Sequence, residues 1–270
     1  MPLYMPPGSP IPTSTFATLP TAPAVGSQIY VTDVGEYGAV YTAKNGAWTH
    51  TGEIEVIQKA KGWLVPSLAA ANAATYSQTG TTITVTSTGH NIPDVVYNSK
   101  DVYLNMGTAA TGAIIPPGWF SNFTYVSADS FTCTSTVSQT GTGAVNTNIA
   151  ETVVGDLNAT ILGGALGLNG KLSFSFLSSN NNSGNNKTVR FNFATNPINY
   201  NNTTVLFRSL KSEPISNRNN QSSQVLEYGG APYVYAVDTS VDFTCGFALV
   251  CAAANDYVAI HSASFYISPS

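Results

Sequence analysis

The chain has 270 residues, 43% of them hydrophobic but only 9% charged, with a net charge of −4. A typical soluble domain carries about 25% charged residues. Its polar surface must therefore come from Ser, Thr, Asn, Gln and Gly, which suit strands, turns and assembly surfaces better than exposed helices. Ten Lys and Arg without a basic run leave no electrostatic footprint for nucleic acid. No window is apolar enough for a membrane helix, and no basic stretch followed by an apolar one marks a signal peptide. Folding in a cytosol is the expectation. Cys133, Cys245 and Cys251 are odd in number, and Cys245 and Cys251 fall on one face of one strand. Buried free thiols are expected.

Residues 1–24 hold Pro2, Pro6, Pro7, Pro10, Pro12, Pro20 and Pro23. Proline fixes φ and lacks an N–H, so an extended arm is expected here. Leu3, Tyr4, Met5, Ile11 and Phe16 give it apolar teeth for docking on a partner. Residues 25–66 read as a small β module. Its strands are 28–33, 39–43 and 53–57, and Asn45-Gly46 signals a tight turn. Residues 67–74, rich in Ala, favour a short helical linker. Residues 75–150 carry four or five short strands with turn signals between them, the pattern of a small sandwich or barrel.

Residues 151–270 read as strands near 171–178, 187–194, 203–209, 222–228, 240–252 and 256–268, a number and spacing that fit a jelly roll. Leu172, Phe174 and Phe176 alternate with serines, and Val189, Phe191 and Phe193 alternate with Arg190 and Asn192. The Asn/Ser/Gly run 178–186 between them favours a turn. A β-hairpin is the expectation, with the Phe and Val face in the core, Lys187 and Arg190 near the surface or an interface, and the loop a candidate exposed edge.

Three groups of residues carry a family resemblance. Thr18–Ala22, Val25–Gly35 and Asn45–Trp48 look like a β-stranded attachment module of tailed-bacteriophage fibre and head-fibre proteins. The runs TVTSTGHNIP (84–93), VYLNMGT (102–108) and GWFSNFTYVSADSFTCTST (118–136) resemble a segment that precedes fibre C-terminal domains. The runs at 169–193, 216–225 and 254–267 resemble the tumour-necrosis-factor-like jelly roll that ends many such proteins. The resemblance implies an all-β homotrimer in a virion, folded in the host cytoplasm before assembly. Its partners would be itself and a capsid or tail protein met through the N-terminal region. A short head fibre or decoration spike is one role. A tail-tip protein recognising host surface glycan is the alternative.

No catalytic motif stands out. His50, His90 and His261 are scattered, and no spacing suits a metal site. No cofactor is expected. His261, inside a strand, reads as a structural residue bonded to a neighbour or facing a subunit interface. Glu53 and Glu55 share a strand face roughly 7 Å apart, and Asp238 lies near Asp242. Paired carboxylates of that kind are common on solvated strands and only weakly suggest glycan cleavage. Asp94, Asp101, Asp129 and Asp256 read as turn formers. Tyr228, Tyr233 and Tyr235 surround Gly229–Pro232, and Tyr200 sits in the Asn-rich loop 196–202. These are candidate receptor-contacting loops.

Overall fold

The computed structural model describes residues 11–268 except 35–37, 46, 51–53, 69–73, 94–96, 166–170, 182, 184, 186, 195–204, 211–221 and 225–240, and gives the backbone alone at 171–173, 175, 192–194, 205–210 and 222–224. It is all-β. The strands are β1 Thr13–Ser14, β2 Gln28–Val31, β3 Ala39–Lys44, β4 Ala47–Thr49, β5 Ile54–Lys59, β6 Trp63–Ser67, β7 Thr75–Thr86, β8 Asp101–Leu104, β9 Met106–Gly112, β10 Gly118–Ser127, β11 Ser130–Val145, β12 Thr152–Val153, β13 Ala159–Ile161, β14 Lys171–Asn180, β15 Lys187–Ala194, β16 Val205–Leu210, β17 Ser222–Gln224, β18 Phe243–Cys251 and β19 Asp256–Ser268. The helix expected over 67–74 lies mostly outside the described residues; Ser67 closes β6.

A four-stranded sheet in the order β1-β2-β3-β4 opens the chain. Lys44 pairs with Ala47 across β3 and β4, leaving Asn45-Gly46 as the connection, and Asn45 has φ 51°. That is the left-handed backbone an Asn-Gly hairpin turn demands. Part of the proline-rich segment belongs to this sheet. The Tyr30 amide donates to the Pro12 carbonyl, the Thr32 amide to Ser14, and the Trp48 indole to Pro20. Proline supplies carbonyls here without needing to donate, which suits an edge strand.

The C-terminal region is a jelly roll. One sheet runs β17-β14-β19 and continues into β5 and β6, and the other runs β16-β15-β18 with β12 and β13 both paired to β18. Apart from β5–β6, β12–β13 and β15–β16, whose members share a sheet, successive strands of the sandwich cross between two facing sheets, as two Greek keys require. β5 and β6 pair with one edge of β19, Lys59 opposite Ala263 and Trp63 opposite Ile260. Ala60, Lys61 and Gly62 therefore face only His261 and Ser262, a bulge in what is otherwise one long strand. Gly62 takes φ 84° at this bend. Residues 54–67, which the sequence divides off with the attachment module, are thus the first strand of the jelly roll.

β14 and β15 are not a hairpin. β14 pairs with β19 and β15 with β18, in opposite sheets. Their alternating aromatics meet face to face across the sandwich: the Phe174 and Phe191 rings stack at 4.2 Å. Phe191 also packs on Phe247 and Phe265, and Phe247 stacks on Phe265 at 5.0 Å. Two hydrophobic strands gain more by closing opposite walls of a core than by lying side by side in one sheet, where their apolar faces would still need a cover.

Residues 75–146 are inserted between β6 and β12. β8 and β9 follow one another; β10 pairs with β8 and β11, and β11 pairs with β9, so the strands close into a small barrel-like ring with β7 alongside β11. This ring is continuous with the jelly roll, because β6 pairs in parallel with β8. Two hydrophobic cores result. Trp63, Val65, Val258 and Ile260 face the sandwich core, while Leu64, Tyr257 and Ala259 face the barrel core. β19 is covered on both faces along this length, which explains a strand without polar alternation.

Candidate functional site

Where β14 leaves its sheet and β15 enters the other, polar side chains turn inward. Lys187 and Asp256 are each the first residue of a strand. Their positions are in phase with the core residues Val189 and Phe191 on β15, and with Val258 and Ile260 on β19. Both side chains are accordingly buried: Lys187 is 0% exposed and Asp256 1%, with Lys187 Nζ 3.5 Å from Asp256 Oδ1. Lys187 Nζ also donates to the Ser183 carbonyl and to Ser183 Oγ. Ser183 Oγ donates to Asp256 Oδ1 at 2.5 Å, and Asn181 Nδ2 donates to the same oxygen at 3.1 Å. Asn181 is itself fixed, since its Nδ2 also donates to the Asn255 carbonyl and its Oδ1 accepts the Tyr257 amide. Asp256 Oδ1 is thus crowded with donors, whereas buried Oδ2 has no hydrogen-bond partner among the described residues.

These positions correct three expectations. Lys187 is interior rather than superficial. Asp256 is an ion-paired strand residue rather than a turn former. Asn181 and Ser183 fold under the corner instead of forming its exposed edge. Removing two charges from water costs several kcal/mol each unless they are paired and hydrogen-bonded, which is what this cluster supplies. Arg190 is half-buried and ion-paired with Glu151.

A second polar chain lies at the seam between the jelly roll and the barrel. Tyr97 Oη lies 2.7 Å from Ser179 Oγ, and Ser179 Oγ lies 2.6 Å from His261 Nε2. The Tyr97 ring covers His261 at 5.7 Å and meets Tyr257 edge-on. Burial, and then the charge of Lys100, lower the His261 pKa to about 4. The imidazole is therefore neutral at neutral pH and accepts or donates only within this chain. A serine beside a histidine is a nucleophile's geometry. Here the hydroxyl is already held by Tyr97, and all three residues are buried. The arrangement fastens Tyr97 of the inserted barrel to β14 and β19, as expected of a structural histidine. His90 is buried under Tyr125 and Phe131, with its pKa lowered by burial.

The remaining acids and thiols also have places. Asp101 opens β8 and is paired with Lys61 at 2.6 Å. Asp129 accepts the Gly89 amide, as a turn residue does. All three cysteines are free and buried, and burial raises each thiol to about 12, which makes them poor nucleophiles. Among the described residues no three His, Cys, Asp or Glu side chains gather as a metal site, and no helix is long and apolar enough to cross a membrane.

Of the five apolar arm residues, Leu3, Tyr4 and Met5 lie outside the described residues. Ile11 is exposed. Phe16 instead turns onto its own chain: its ring packs edge-on against Tyr41, and its amide donates to Asp33. It is spent on the small sheet and does not project as a docking tooth. Tyr200, Tyr228, Tyr233 and Tyr235 all lie outside the described residues, as do Asp94, Asp238 and Glu53. A groove of about 600 Å³ opens across β7, β9 and β11, with Thr75, Ser77, Thr86, Thr108, Thr142 and Gly143 among the residues that line it. It is neutral and rich in hydroxyls, and no sequence motif announces it. No protein-family model, no curated protein and no solved structure matches the chain.

Proposed function

We propose that the chain is a non-enzymatic structural component of a tailed-phage virion, a short homotrimeric head fibre or decoration spike. The observation that carries this reading is the jelly-roll strand order, which agrees with the architecture that the sequence resemblance implies for the C-terminal region. A surface built from uncharged polar residues is consistent with obligate assembly, because little charge must be desolvated when copies meet. The interior polar groups are committed to holding the modules together. In this reading the anchor to the capsid lies in residues 1–11, since 12–20 are bonded within the small sheet. Gold-labelled antibody against the protein is expected to mark the heads of intact particles. Label confined to tail tips, or absent from particles, overturns the assignment.

The neutral groove on the barrel favours the second reading, a tail-tip protein that grips host surface glycan through hydroxyls rather than charge. Purified protein would then bind host cells and fail to bind cells lacking surface polysaccharide. Equal, negligible binding to both supports the head role.

A further inference from the structure

We propose that Lys187 and Asp256 become joined by an amide bond between Nζ and Cγ, a covalent cross-link between the two sheets of the jelly roll. Four observations at the corner point to it. The amine and the carboxyl are sealed from solvent, side-chain exposures 0% and 1%, and already in contact at 3.5 Å. Ser183 Oγ touches both groups, accepting from the amine and donating to the carboxyl, so a proton can pass between them through one hydroxyl. Asn181 Nδ2 and Ser183 both hold Oδ1, the oxygen that stays as the amide carbonyl. Oδ2, the oxygen that must leave, is buried with no partner among the described residues.

As an ion pair the site buries a half-satisfied carboxylate, which is costly. As an amide it keeps the satisfied oxygen and loses the orphan. Proton transfer through Ser183 Oγ first gives the neutral amine and a carboxylic acid protonated on Oδ1. Nζ then attacks Cγ and the N–C bond forms; the attacking nitrogen passes one proton directly to Oδ2, the proton held on Oδ1 follows it, the C–Oδ2 bond breaks, and Oδ2 departs as water with two protons that came from the ammonium. Nothing is oxidised or reduced, and no co-reactant is consumed. Holding nucleophile and electrophile together in a dry, fixed site supplies the effective concentration that the condensation needs.

Intact mass of the denatured, full-length wild-type protein tests this. The expected result is a deficit of one water relative to its sequence mass, with full sequence mass for Lys187→Arg. Trypsin should fail to cut after Lys187, and the peptide bearing Lys187 should be recovered bonded to the one bearing Asp256. Ser183→Ala should give a mixture, with the linked form appearing more slowly after refolding. Wild-type protein at full mass that is cut after Lys187 overturns the proposal. So does a water deficit that maps within a single linear peptide, which would be a succinimide. Both decisive measurements use wild-type chain, so poor folding of a variant does not blunt them.

Discussion

Side-chain parity carries more of the site than residue type does. Lys187 looks like a surface residue by composition, yet it lies two residues before Val189 and four before Phe191, on the face that fills the core. Asp256 stands in the same relation to Val258 and Ile260. Alternation therefore marks Lys187 as interior, whereas β19, covered on both faces, offers no such alternation around Asp256. What alternation could not show is that the two strands would bring these residues together from opposite sheets. His261, in phase with Tyr257 and Ala259, belongs to the other face of β19. Its folded pKa is lowered to about 4 by burial and by Lys100, against an ordinary value near 6.5. Between those values the unfolded chain takes up a proton that the folded chain refuses, so stability falls as pH drops from about 6.5 to about 4. His90, lowered by burial, acts with the same sign. Urea denaturation across that range should show this decline, and His261→Gln should make it shallower without abolishing it. Phe247 is fully buried among four aromatic rings, so Phe247→Ala should cost about 3–5 kcal/mol in the same assay.

Individual strands were largely legible, because period-two alternation survives wherever one face meets water. The strand expected at 187–194 coincides with β15, and the one at 256–268 with β19. Partners were less legible. β14 and β15, close in sequence and both alternating, have the local pattern of a hairpin; which sheet each joins is decided by residues 50 to 97 positions away. β5 and β6 were hidden for a similar reason. The bulge at Ala60–Gly62 divides one long strand into two short ones, which in isolation look like pieces of the preceding module. Gly62 permits that bend: its φ is 84°, and a Cβ there would meet Lys100 Nζ at 2.7 Å. Gly62→Ala should therefore destabilise by about 1–2 kcal/mol. A lower chemical-denaturation midpoint with unchanged slope would show this, and an unchanged midpoint would mean the bend tolerates a side chain.

At the scale of the molecule, the inserted barrel and the jelly roll share strands and cannot be separated cleanly. Leu64, Tyr257 and Ala259 are buried only because the barrel covers them. Replacing residues 74–147 with a short Gly-Ser linker should leave a chain that aggregates or binds hydrophobic dyes, whereas a soluble, cooperatively folding product would show the jelly roll to be self-sufficient. The N-terminal boundary makes a contrasting prediction. Under the proposed assembly, deleting residues 1–10 spares the β1 pairing and should preserve folding and the proposed trimer while abolishing incorporation into particles; deleting 1–24 also removes the Phe16 and Pro20 contacts and should lower thermal stability. Native mass spectrometry reads the oligomeric state in each case, and a clean monomer at micromolar concentration would count against the assembly proposed here.

β19 lies between β14 on one side and β5 and β6 on the other, and it contributes to both cores. It is also synthesised after every strand it joins. A ribosome making this chain thus releases a molecule whose earlier strands have waited, unsatisfied, for their common partner, and closure spans some two hundred residues of sequence. Such long-range pairing is slow and leaves sticky edges exposed meanwhile. Synthesis of β19 becomes the event that commits the protein to fold. A chain cut short before β19 would lack the central strand of the sandwich and leave the barrel core without Tyr257 and Ala259, and would be open to proteolysis.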